Sequence, residues 1–218
     1  MGYKLAIFDL DGTVLDSLDD LMGSTNAALR AHGYPERTRQ EICQFVGNGM
    51  ARLIARAVPV GTDDNTTAAV LATFKAYYAD HCAEKTAPYA GVLQLLARLR
   101  AAGVKLAVLS NKADAATKSL CHTYFEGAFD LVVGERESEG VRKKPAPDAV
   151  FAILRELQVD AAEAVYIGDS EVDVQTAQNA GLALLAVTWG FRSEALLRES
   201  GAAVLVDNAK TLGDLILS

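Results

Sequence analysis

Two carboxylates two residues apart, Asp9 and Asp11 in the stretch IFDLDGTVLDS, close an apolar run near the start of a 218-residue chain. Residues two apart in an extended backbone project to one side, so both acids face the same space beyond the run. Such neighbours repel, and without a cation one of them tends to keep its proton. Three further apolar runs end in polar groups: Ser110-Asn111-Lys112 after VKLAVL, Lys144-Pro145 in the loop beyond LVVGE, and GDSEVD, with Asp169 and Asp173, after AVYI. Taken singly, each has a plain structural alternative. Asp11-Gly12 could be a hairpin turn, Ser110 a helix N-cap, Lys144 part of a solvated RKK run, and Asp169 and Asp173 first-turn acids of the next helix. The hairpin alternative lacks its second strand, because TVLDS leads into a helical pattern.

The elements that must position these groups are legible in the hydropathy. YKLAIF (3–8), VKLAVL (104–109), LVV (131–133), AVYI (164–167), LALLAV (182–187) and AAVLV (202–206) read as buried strands. Helix-period segments lie between them, such as 92–103, closed by Gly103, and 147–158, opened by Pro147 and Asp148. Strands alternating with helices predict an α/β fold, a Rossmann-like parallel sheet with helices on both faces. In such a sheet the ligand site lies outside the carboxyl ends of the strands, where the four polar segments converge. Residues 16–86 break the alternation with helical patterns and no strand, which predicts an inserted small all-helical cap domain. Its first helix has Ser17 as N-cap with Asp20 three residues on. A second runs from about Arg39 with a Gly-Asn-Gly interruption at 47–49, a third covers 66–82, and 86–91 is the return linker. The core domain is then 1–15 with 87–218.

Composition excludes several classes. A net charge of −7 and a pI near 5.0 oppose a nucleic-acid footprint or a basic membrane-binding patch, so positive contacts to an anionic ligand must be local. The longest apolar stretch, around 182–191, is too short to span a bilayer, and the N-terminus lacks a signal-peptide pattern, so a cytoplasmic location is expected. Cys43, Cys82 and Cys121 form no CxxC pair and read as free thiols. His32, His81 and His122 match no metal-binding spacing.

Together and in this order, DLDGT (9–13), SNK (110–112), KP (144–145) and GDSEVD (168–173) resemble the haloacid dehalogenase superfamily of aspartate-nucleophile phosphotransferases, over the whole chain including the helical insert. The resemblance implies a phosphomonoester hydrolase working through an aspartyl-phosphate. Asp9 would attack phosphorus, Asp11 would serve as acid and then base, and Ser110 with Lys144 would hold the phosphoryl oxygens. Asp9, the Asp11 carbonyl and Asp169 would bind a metal, with Asp173 acting mainly through a metal-bound water. Thr13, Gly47, Asn48 and Asn111 would join Lys144 around the substrate. Gly12 and Gly168 let backbone approach closely. Four acids beside a phosphate and one lysine need a divalent cation, and Mg²⁺, which prefers oxygen ligands, fits.

Within the superfamily, Asp11 argues against a dehalogenase. The only lysines of 16–86, Lys75 and Lys85, come too late for a phosphonate hydrolase, and Leu21 stands where a phosphomutase would carry a cap histidine. The opening FDLDGTVLDSLDDL, FVGNGMARLI, SNK and VTWGFRS most resemble the phosphoglycolate phosphatase branch. The expected substrate is a small phosphate ester such as 2-phosphoglycolate, handled by a monomer or homodimer. Alternatives are pyrophosphate, a nucleotide or a sugar phosphate, phosphomutase chemistry, or a non-catalytic phosphoacceptor module. Arg52 could meet a substrate carboxylate, and Arg142 and Lys143 are possible stand-ins for Lys144.

Overall fold

In the computed structural model, which describes residues 2–218, β1 (Leu5–Phe8) is buried along its whole length, as a central parallel strand must be. After it come β2 (Leu15–Asp16), α1 (Leu18–Ala31), α2 (Arg39–Phe45), α3 (Met50–Ala57), α4 (Asp64–His81) and β3 (Ala87–Pro88). The remainder alternates: α5 (Val92–Ala101), β4 (Lys105–Ala113), α6 (Asp114–Phe125), β5 (Leu131–Glu135), α7 (Asp148–Leu157), β6 (Ala164–Gly168), α8 (Glu171–Ala180), β7 (Ala183–Val187), α9 (Glu194–Glu199), β8 (Leu205–Val206) and α10 (Ala209–Leu217). Six strands form one parallel sheet in the order β5-β4-β1-β6-β7-β8, covered by helices on both faces. Leu5, Ile7, Ala107, Leu109, Tyr166 and Ile153 belong to one core cluster of that sheet.

The chain divides into two compact units, residues 1–15 with 88–218, and residues 16–87. The helical unit departs from the sequence expectation in two places. A two-residue strand, β2, stands where only helix was expected, and it pairs with β3 inside the supposed linker. Ser17 does not cap α1 through its side chain. Its ψ of 7° lies outside the extended region that lets a cap side chain reach the next turn.

Asp20 is thereby released for a longer-range task. Buried in α1, its carboxylate accepts the main-chain N–H of Lys85 at 3.0 Å and of Thr86 at 2.8 Å, and the Thr86 hydroxyl at 2.8 Å. Asp20→Ala would strand those buried donors and is expected to lower stability by about 3 kcal/mol, read as a drop in urea midpoint at unchanged m-value. A variant within about 0.5 kcal/mol of the parent would show that the donors find other acceptors.

Candidate active site

Strand register brings the polar segments to one end of the sheet. Phe8 is level with Val108 on one side and with Ile167 on the other, so Asp9, Ser110 and Asp169 all lie one or two residues beyond that level at the carboxyl ends of neighbouring strands. The chain reverses its direction of travel across the sheet at β1, which opens the crevice where α/β proteins bind ligands. β4 continues through Ala113, so Ser110 is a strand residue and the N-cap of α6 is Ala113. The residues after Asp11-Gly12 make no hairpin with β1: Val14 N–H returns to the Leu10 carbonyl and β2 pairs elsewhere.

At the centre lies Lys144, buried, with its ammonium 2.8 Å from Asp9 Oδ1 and 2.8 Å from Asp173 Oδ1. Oxygens of Asp9, Asp169 and Asp173 lie within 4.8 Å of one another. Burial, reinforced by the neighbouring Asp173, raises the Asp9 carboxyl well above its ordinary range, and the same two causes push Asp169 up to about 7. Burial by itself would lower the Lys144 ammonium, but the charges of Asp173 and Asp9 outweigh it and hold that group firmly protonated. Three crowded carboxylates with oxygen donors only are a set that a hard divalent cation satisfies.

Asp173 is already well supplied with donors. Besides Lys144, Oδ1 accepts the Tyr166 hydroxyl at 3.3 Å, and Oδ2 accepts the Ser170 N–H at 3.1 Å and its hydroxyl at 2.6 Å. It is at once a first-turn acid of α8, in a capping box with Ser170, and a member of the cluster. Asp169 takes the Thr13 hydroxyl on Oδ1 at 3.1 Å, so Thr13, assigned by sequence to the substrate, touches the acid cluster. A Cβ at Gly12 would come within 3.0 Å of the Asp169 carboxylate, which with its φ of 88° explains the glycine. Asn111 donates its amide to the Lys144 main-chain carbonyl at 3.1 Å, tying the end of β4 to the lysine loop.

Asp11 turns to a different partner, Lys112, whose buried ammonium lies 2.8 Å from Asp11 Oδ1. The sequence contains a signal for this lysine: Ser110 and Lys112, two apart in a strand, share a side. Arg142 and Lys143 are engaged elsewhere, with Asp148 and Glu137, each at 2.9 Å. Gly47 and Asn48 belong to the helical unit, in the loop between α2 and α3. Arg56 braces that loop through the Phe45 carbonyl at 2.9 Å and Asn48 Oδ1 at 3.4 Å. Arg52 is exposed on α3.

A family model for haloacid dehalogenase-like hydrolases matches residues 6–187. A phosphoglycolate phosphatase of Pseudomonas savastanoi pv. phaseolicola is 33% identical over 96% of this chain and 78% of its own length. An N-acetylmuramic acid 6-phosphate phosphatase of Pseudomonas aeruginosa is 30% identical over 99% and 96%. A crystal structure from Lactobacillus delbrueckii subsp. bulgaricus, provisionally named a phosphoglycolate phosphatase, superposes with a TM-score of 0.95 at 40% identity, covering all of both chains.

Proposed function

The chain belongs to the haloacid dehalogenase-like hydrolase family and is a phosphomonoester hydrolase; from that premise we propose that it cleaves a small phosphorylated metabolite, 2-phosphoglycolate first among them, by way of a phosphorylated Asp9. The observation that carries the proposal is Lys144 bridging Asp9 and Asp173 beside Asp169 at the carboxyl ends of level strands. Phosphoglycolate is favoured because relatives so named match nearly the whole chain at 33% identity.

In the first step an Asp9 oxygen attacks phosphorus in line, the ester P–O bond breaks, and Asp11 delivers a proton to the departing oxygen. In the second, Asp11 takes a proton from water, the resulting hydroxide attacks the Asp9 phosphoryl group, and inorganic phosphate leaves with the carboxylate restored. The Lys144 ammonium, the Ser110 hydroxyl and the main-chain N–H groups beside it, that of Asn111 among them, would hold the transferring oxygens as charge shifts among them. A divalent cation, Mg²⁺ by its preference for oxygen, would be held by Asp9, Asp169 and the Asp11 carbonyl, and would offset the charge of substrate against carboxylates. Asp173, with two donors on each oxygen filling the about four acceptor positions of a carboxylate, would act at one remove.

Residues 16–87 would serve as the cap, with Gly47 and Asn48 facing substrate. None of the three cysteines is in a disulfide, as suits a reducing cytoplasm, and the unit of action would be a monomer or homodimer. No helix among the described residues is long and apolar enough to cross a membrane.

The test is turnover of the purified protein, with Mg²⁺ and with chelator, on 2-phosphoglycolate, sugar phosphates including N-acetylmuramic acid 6-phosphate, nucleotides and pyrophosphate. Mg²⁺-dependent multiple turnover with kcat/KM at least about tenfold higher on 2-phosphoglycolate is expected, and a preferred sugar phosphate would replace the substrate while keeping the chemistry. Equal rates in excess chelator would sink the cation site. Lys112→Met removes the partner that orients Asp11, and kcat is expected to fall about 10- to 100-fold with little change in KM; parental kcat would mean that Asp11 needs no such partner.

A further inference from the structure

The stretch VTWGFRS (187–193) takes no part in the chemistry above, yet it reaches the acid cluster in several ways. The Phe191 main-chain N–H donates to Asp169 Oδ2 at 2.7 Å, while Thr13 donates to Oδ1, so each oxygen of that carboxylate has a donor. Gly190 lies so close that a Cβ there would come within 3.0 Å of both Asp169 Cβ and the Gly12 carbonyl. Trp189 Nε1 donates to the Thr13 main-chain carbonyl at 3.0 Å, and its ring is tilted against Tyr89 with centroids 6.4 Å apart. The buried Arg192 pairs with Glu171, two residues past Asp169, at 2.8 Å. One short loop thus grips the ends of two neighbouring strands, β1 and β6, at the same time.

We propose that the loop 188–192 is a clamp that sets the cation affinity of the acid cluster by fixing the carboxylate plane of Asp169 against Gly12 and Thr13. A carboxylate has about four acceptor positions, so one donor on each oxygen holds its plane and leaves the remaining lone pairs for a cation. Trp189, Gly190 and Arg192 are positioning residues, since they act through Asp169 and the Gly12-Thr13 turn. Groups that orient a metal-binding side chain commonly change affinity by about 10- to 100-fold. The clamp rests on the reading of Asp169 as a cation ligand.

The experiment measures Mn²⁺ binding to the full chain from the loss of the free-ion EPR signal, with far-UV circular dichroism as the check on folding. Asp169→Asn is expected to abolish tight binding, Gly190→Ala to weaken it about 10- to 100-fold, and Trp189→Phe, which deletes one hydrogen bond, roughly 2- to 10-fold. A merely structural role would lower the melting temperature of the metal-free protein without moving the Mn²⁺ affinity. If Asp169→Asn loses the ion while folded Gly190→Ala and Trp189→Phe bind it as the parent does, the clamp is overturned and the cation site stands. If Asp169→Asn binds like the parent, the cation site falls and the clamp with it. Should Gly190→Ala not fold, Trp189→Phe decides alone.

Discussion

Asp9→Asn is expected to lower kcat by at least about 10⁴-fold while the protein stays folded. An amide is a poor nucleophile toward phosphorus and a poor metal ligand, and the two carboxylates clustered with Asp9 are held by other donors. Asp173 already accepts from Lys144, Tyr166 and Ser170, and Asp169 from Thr13 and Phe191. The fold should not suffer. Because the folded protein raises the Asp9 carboxyl above its ordinary range, the ionised side chain is a net cost near neutral pH in the metal-free state, and a neutral isostere removes it. Steady-state turnover paired with a thermal melt checks both halves, and activity above about 1% of the parent would refute Asp9 as the attacking group.

Lys144→Ala is the second large effect, and here rate and stability fall together. The ammonium is buried and lies 2.8 Å from each of two buried carboxylates, so its removal leaves Asp9 and Asp173 facing one another uncompensated. Breaking a buried pair from one side typically costs ~3–5 kcal/mol, and losing a charge aimed at the phosphoryl oxygens typically costs ~10²–10³ in kcat. Arg142 and Lys143 cannot replace it, because both are engaged with surface acids. Lys144→Arg is not a rescue, since a planar fork does not fit a slot built around a point charge. Near-parental kcat in a folded Lys144→Ala protein would show that another cation performs its task.

The second lysine shows why part of the site was harder to read. Lys144 stands out in sequence because a proline follows it, whereas Lys112 is one charge at the end of an apolar run. Its pairing with Asp11 spans 101 residues and depends on β4 lying beside β1. Ser17 and Asp20 have the spacing of a helix cap, but the backbone at Ser17 takes another conformation and the acid binds main-chain groups 65 and 66 residues away. β2 and β3 were invisible for a related reason: two residues carry no period.

The sequence alone determined the strands of the six-stranded sheet, most of the helices and the candidates for the reacting groups, because period and residue chemistry are local properties. It also implied the acid cluster, since a parallel sheet sends the ends of its strands to one edge. Only the tertiary structure decided which lysine faces which aspartate, that Asp20 ties down the chain at Lys85 and Thr86, and that the loop at 188–192 closes on Asp169. Those are contacts between segments tens to more than a hundred residues apart. Their partners are chosen by strand order, register and the need to satisfy buried charge, none of which is written in any short stretch of the chain.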